Sequence, residues 1–309
     1  MPHVQSEYLD RLDPDQTIYR YMDFAKFANL LQTGHLHFHQ AADFGDRFEG
    51  SVPEIIEEAR ELEYQRAADS GDMQPDGHKI HAEINKCLQR FTYLSCWHLQ
   101  ENESVAMWDR YGGSDRAVAI RTTVGDFARA LTGDEDDNDV YFAEVDYRPY
   151  SSDHESAPEI DEINIEDNLD DRFFITREAH SLVPFVYKRQ GFEYEEEMRG
   201  IIQDPPTAEN WDHTLVEIDG RTHEVDFQIN TDDGPKYLDT TEEDTPKGID
   251  VRVWLDVLID TVHVAPDAGG WFKQTVEGAI WQCGELMEEN EPEDFLEDSI
   301  LDHSREPSF

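Results

Sequence analysis

Thr17-Ile18-Tyr19-Arg20-Tyr21-Met22 reads as a short strand, and Phe24, Phe27, Leu30 and Leu31 then recur at helical spacing up to Gly34. His35 to Gln40 alternates histidine with Leu36 and Phe38, the period of a strand with one apolar face. Strand, helix and strand therefore open the chain. Beyond them, Ala41 to Gly50 reads as a loop carrying Phe44, Asp46, Phe48 and Glu49, and Pro53 to Ala68 as a charged helix. Strands are expected at Phe91 to Trp97, Ala117 to Thr122, Val140 to Tyr147, Glu195 to Ile202 and Leu255 to Val264, with a meander of short strands from Asp212 to Lys236. Helices are expected at Glu103 to Tyr111, Phe127 to Leu131, Phe173 to Tyr187 (where Pro184 marks the end) and Trp271 to Met287. Helices and strands mix without a βαβ rhythm. The expected class is α+β: a single mixed, largely antiparallel sheet core flanked by helices, with acidic insertions. A polar arm (1–16) precedes a core domain (17–287) with acidic loops at 133–139 and 150–172, and an acidic tail (288–309) follows it.

Acidic residues number 71 against 25 basic ones, a formal charge of -46. Such a chain repels itself in dilute buffer, and at molar salt a Debye length of about 3 Å removes most of that repulsion. Of the basic residues 18 are Arg and 7 are Lys, so the long, strongly hydrated ammonium is the one given up. Because the acids are spread along the whole chain, the expectation is salt adaptation of the halophilic archaeal kind, with an acidic surface made for a basic partner as the alternative. Disorder is excluded by 16 Phe, 12 Tyr and 6 Trp, enough large apolar side chains to bury a core. No stretch approaches the roughly 18 apolar residues of a membrane span, and Met1 to Asp10 lacks the blocks of a signal peptide, so a cytoplasmic protein with no membrane partner is expected. Cys87, Cys96 and Cys283 are few and far apart, which suits a reducing compartment.

With 71 carboxylates, proximity of two acids says almost nothing about catalysis. His35, His37 and His39 would project from one face of a strand as a metal site can use, or simply fill a polar face at a strand edge. A further ligand cannot be placed, so no metal is expected. His78 and His81, a helical turn apart in polar surroundings, read as surface. Dinucleotide, phosphate-loop and hydrolase-elbow fingerprints are all missing, and Lys188-Arg189 is the one adjacent basic pair, so nucleic-acid binding is not expected. The segment from Tyr187 to Arg199 is more specific. As a strand from Tyr194 it would set Glu195, Glu197 and Arg199 on one side, a group that can hold a ribose by its hydroxyls or form a structural ion-pair ladder.

Several pieces together resemble a known family. They are Ile18 to Tyr21, Leu30 to Phe38, Asp43 to Gly50, Leu94 to Trp97, Glu103 to Gly112, Ala117 to Ile120 and Lys188 to Arg199. The chain is similar over about Thr17 to Ile202, and again near Leu255 to Cys283, to the domain of unknown function 2971 family. Arg47 replaces the proline usual after the loop aspartate, which touches only the loop's turn. That family has no settled activity. Its order of an Arg-bearing first strand, a strand with Ser95 and a late strand entered through Glu195-Glu196-Glu197 looks like the Arg, Ser, Glu arrangement of ADP-ribosyltransferases. The resemblance implies Arg20 as phosphate anchor, Ser95 as support, Glu195 or Glu197 as the catalytic carboxylate, and Tyr19, Tyr21, Trp97 and Trp108 as nicotinamide stackers. It implies a polar pocket of Arg20, Glu103, Trp108, Glu195, Glu197 and Arg199 that takes NAD or another nucleotide as substrate, with no tightly bound cofactor. Lys188 joins the ligand-binding set because positive charges near recognisable motifs are so few. The alternative is a non-catalytic interaction module whose charged motifs form a structural network.

Overall fold

The first strand, β1 (Thr17–Asp23), hands the chain directly to helix α1 (Phe24–Thr33). Asp23 caps that helix by accepting from the Lys26 amide at 2.9 Å, and Gly34 ends it in the left-handed conformation (φ 65°) that a side chain would strain. Phe27, Leu30 and Leu31 are its buried stripe. A computed structural model describes residues 12–69, 77–112, 115–131, 139–154, 180–231, 234–241, 245–283 and 295–297. Within them follow β2 (His35–Gln40), helices α2 (Glu54–Asp69) and α3 (Gly77–Leu88), and β3 (Thr92–Leu99). A short helical turn (Val105–Met107) widens into a π-helical one (Trp108–Gly112) before β4 (Ala117–Thr123) and α4 (Val124–Ala130). Then come β5 (Tyr141–Glu144), β6 (Asp146–Arg148), β7 (Tyr187–Arg189) and β8 (Glu197–Gln203). Short strands β9 (Thr207–Ala208), β10 (Leu215–Ile218), β11 (Arg221–Glu224), β12 (Gln228–Thr231) and β13 (Gly234–Leu238) form the small meander. The chain returns to the main sheet with β14 (Gly248–Arg252), β15 (Thr261–Val264), helix α5 (Gly270–Trp281) and β16 (Leu296–Glu297).

The fold is α+β, built on a nine-stranded sheet whose pairs are antiparallel except β15 with β16. Its spine is the ladder of seven residue pairs between β3 and β8, from Thr92↔Gln203 to His98↔Glu197. On the other side of β3 two strands share one edge. β2 pairs with its start (His39↔Leu94, Gln40↔Tyr93) and β1 with its end (Ile18↔Leu99, Tyr19↔His98). Between these contacts β1 and β2 splay apart, each held by a partner of its own, β4 for β1 and β14 for β2. The main core covers one face of the sheet, with Ile18, Met22, Phe27, Trp97, Ile120, Phe127 and Met198 among its members. The other face carries two smaller clusters, one with Leu94, Phe185 and Ile201 and one with Tyr19, Tyr21, Met107 and Trp108. Gly200 is where β8 meets the main core most tightly, since a Cβ there would lie 3.2 Å from the Phe127 ring.

Several sequence expectations are corrected. Leu255–Leu258 is a helical turn, as the three-residue spacing of its buried leucines allows, and the strand starts only at Thr261. Residues 180–185 form a 3-10 helix and Tyr187 opens a strand, so the helix expected up to Tyr187 is not formed there; its part at 173–179 lies outside the described residues. The late strand begins at Glu197, because Glu195 ends a 3-10 turn and Glu196 adopts φ 37°. Val145 interrupts the expected strand at Val140 to Tyr147. The His78/His81 surface is a helix, packed through Ile84 and Leu88, and β14 was not foreseen. That strand also pairs along β2, so the histidine strand is not a sheet edge. The final helix ends at Trp281, and within the expected ragged tail Phe295 is buried and Leu296–Glu297 pair with β15. The acidic segments at 133–138 and 155–172 lie outside the described residues.

Candidate functional site

The splay between β1 and β2 opens into a cleft of about 410 Å³, within the roughly 300–1,000 Å³ of ligand pockets. Arg20 stands at its floor. It alternates with Ile18 and Met22 on the core side of β1, yet its guanidinium spans the gap, donating to Ser95 Oγ on β3 and, at 2.8 Å, to the His37 carbonyl on β2. It also lies 5.6 Å from the Trp97 ring centroid. No carboxylate oxygen among the described residues is within ion-pair distance of it. Burial pulls its pKa down to about 10, which still leaves it cationic at neutral pH. In a chain with nearly three acids for every base, a partly buried arginine whose described partners are all neutral is chemically suited to pairing with an anion.

The opposite wall is a closed ionic network. Arg199, fully buried, grips Glu49 with both terminal nitrogens (2.6 and 3.1 Å) and reaches Glu197 through Nε at 2.8 Å. Lys188 bonds Glu197 at 2.6 Å and Glu195 more closely still. Burial alone would raise the Glu197 pKa, but Arg199 and Lys188 hold it down at about 2. Burial would likewise lower Lys188, and Glu197 and Glu195 instead raise it above the usual lysine range. Tyr111 donates to Glu195 at 2.8 Å, and burial followed by that carboxylate pushes its phenol upward. Three carboxylates face two cations here, so the network keeps one negative charge. Burying such ions costs several kcal/mol each, which only this density of hydrogen bonds offsets.

Of the residues singled out in the sequence, Tyr19, Arg20, Tyr21, Trp97, Lys188, Glu195 and Glu197 line the cleft. Ser95 does not. It is fully buried, accepts from both Arg20 and Trp97 Nε1 (3.0 Å), and so supports the arginine from behind. Arg199 likewise sits behind the wall. Glu103 and Trp108 are elsewhere: Trp108 Nε1 donates to Glu103 at 3.2 Å, and the indole packs edge-on against Tyr21 at 4.9 Å. Both form a pedestal under β1 instead of the expected pocket lining. Arg20 and Ser95 act from the core side of the sheet and Glu197 from the other, and the cleft reaches both through the splay. His37 is paired with Asp250 at 2.7 Å, and the described residues gather no group of three metal-ligating side chains.

Sequence reasoning missed His98, Arg110, Asp46, Arg189 and Phe192, all at the cleft. Arg189 pairs with Asp46 (3.0 Å) and stacks near Phe192, closing one rim, while Arg110 is exposed at another. The basic pair Lys188-Arg189 was the available signal for that rim, and nothing in the local sequence marks His98.

Residues 107–200 match the model of DUF2971, a protein family of unknown function. The match covers under a third of the chain and contains Tyr111, Lys188, Glu195, Glu197 and Arg199, whereas Arg20, Ser95 and His98 fall before it. No curated protein and no solved structure matches the chain. Among the described residues no helix is long and apolar enough to cross a membrane.

Proposed function

We propose that the cleft binds NAD and that the protein cleaves its nicotinamide–ribose bond, releasing or transferring the ADP-ribosyl group. Arg20 carries this reading: a cation without a counter-ion among the described residues, one strand away from the wall that holds Glu195 and Glu197, is suited to an anionic group such as a pyrophosphate. Tyr19, Tyr21 and Phe192 offer aromatic surface for a base or nicotinamide ring. Glu197 is already filled, since Oε2 accepts from Lys188 and Arg199, Oε1 accepts from Arg199 and the Cys96 thiol also bonds the carboxylate. Each Glu195 oxygen, by contrast, accepts a single bond, from Tyr111 or from Lys188, so one ribose hydroxyl fits beside Glu195. In the reaction the C1′–N bond breaks and its electron pair leaves with neutral nicotinamide. The carboxylate faces the positive charge developing on the ribose, and a water or acceptor lone pair then bonds C1′ and gives up its proton.

Heating the protein in molar salt with and without NAD tests the binding, since a ligand of the native state raises the melting temperature by mass action. Released nicotinamide, followed by chromatography, tests the chemistry. An unchanged melting temperature at millimolar NAD would sink the reading. The competing reading, a non-catalytic interaction module, is favoured by one observation: Arg199 and its partners are sealed from solvent as a structural network would be. It would stand if NAD neither binds nor is consumed.

The acid-rich composition supports a second proposal, that the protein is adapted to a salty cytoplasm. Dialysis into low salt is then expected to loosen or unfold it, read by circular dichroism, and full structure retained without salt would refute the idea.

A further inference from the structure

We infer that His98 reads a sugar hydroxyl in the cleft, so that the ligand class is a nucleotide with a free ribose diol and not a bare polyanion; this rests on the NAD reading above. His98 is 2% exposed and stands at the cleft wall near the end of β3. Its Nδ1 is 2.7 Å from the Glu195 carbonyl oxygen. A carbonyl can only accept, so Nδ1 carries the proton, and in the neutral ring Nε2 is left as an acceptor. Nε2 is buried and has no hydrogen-bond partner among the described residues. Buried polar atoms are rarely left this way, and one at a cleft wall points to a donor that arrives with the ligand.

Its surroundings say which donor. His98 is the direct cross-strand partner of Glu197 in the β3–β8 ladder, so the two side chains rise from the same face of the sheet. Glu195, which shares Lys188 with Glu197 and keeps an acceptor position on each oxygen, is the charged acceptor in the cleft, and Nε2 is the neutral one. Two acceptors side by side suit two adjacent hydroxyls, the pattern of a ribose 2′,3′-diol, whereas the diesterified pyrophosphate of a dinucleotide has no proton to offer either. Tyr21 packs edge-on against the imidazole at 6.1 Å and Tyr19 is the register partner of His98 in the β1–β3 ladder, so the ring is fixed in place. The cleft then divides its work: Arg20 takes charge and His98 takes hydroxyl.

Asparagine at 98 can still donate to the Glu195 carbonyl but has no atom where Nε2 was. In titration calorimetry, H98N is expected to weaken ADP-ribose binding by about tenfold, the loss of one buried hydrogen bond, and to leave inorganic pyrophosphate binding unchanged. R20Q is expected to weaken both. Equal ADP-ribose affinity for H98N and the unaltered protein overturns the role of His98 and leaves the NAD reading standing. Equal weakening of both probes by H98N also overturns it, since that is a structural effect. If the unaltered protein binds neither ADP-ribose nor NAD, both readings fall. Should H98N not fold, nitrogen-15 spectra of the unaltered protein decide: His98 Nε2 must shift on saturation with ADP-ribose, and a fixed resonance overturns the inference.

Discussion

The two walls of the cleft hold their positive charges in opposite ways. On the β8 side, Lys188 and Arg199 are wrapped by Glu49, Glu195 and Glu197 and shut away from water. On the β1 side, Arg20 has a serine hydroxyl, a backbone carbonyl and an indole face. Carboxylates are so abundant that a missing counter-ion cannot be put down to scarcity. A neutralised cation is occupied in holding the protein together, whereas one with no carboxylate partner among the described residues has its charge free for an incoming anion.

The contrast is broken or sharpened first by stability. Arg199→Met leaves Glu49 buried without its cation and Glu197 with Lys188 alone, and should cost about 3–5 kcal/mol in denaturant unfolding. Arg20→Met loses hydrogen bonds to two neutral acceptors and no ion pair, and should cost about 1.5–2 kcal/mol. Equal losses would abolish the distinction. Ligand binding should rank the pair the other way, with Arg20→Met lowering NAD affinity on the order of 10- to 100-fold, the worth of a charge-assisted contact.

Acid should act on one wall alone. The folded pKa of Glu197 lies below its unfolded value, so its contribution is fully present above the unfolded pKa of about 4.3 and is lost as pH falls through about 2. Unfolding free energies measured across that window should fall as the pH is lowered, less steeply in Glu197→Gln, while Arg20→Met keeps the slope of the parent. The smallest effect is expected for Tyr111→Phe, which removes a single hydrogen bond to Glu195 from a half-exposed ring and should cost about 1 kcal/mol or less, with the Arg20 contribution to affinity untouched.

Strands β1, β2, β3, β4 and the run of β8 were legible because alternation and glycine-ended periodicity are local signals. Helix α3 was not, since its apolar stripe of Ile80, Ile84 and Leu88 is diluted by polar neighbours. Nor was the left-handed Glu196, which no property of glutamate announces. At the cleft, Arg20, Lys188 and Arg199 stood out as rare positive charges, but their different fates were hidden. Glu49, which neutralises Arg199, comes from a loop 150 residues earlier. His98 was invisible for a similar reason: it is one of 13 histidines, and its partner is a backbone carbonyl 97 positions away.

The splay also divides the sheet mechanically. One wing runs from β1 through β4 to β15, the other from β2 to β14, and each is riveted to opposite ends of β3. Across the open seam the side-chain bond from Arg20 to the His37 carbonyl ties the wings together. A molecule lodged against Arg20 and His98 would act as a further stitch, so that amide hydrogens in both wings exchange more slowly together when the cleft is filled. A ligand taken up through that opening would thus become part of the framework.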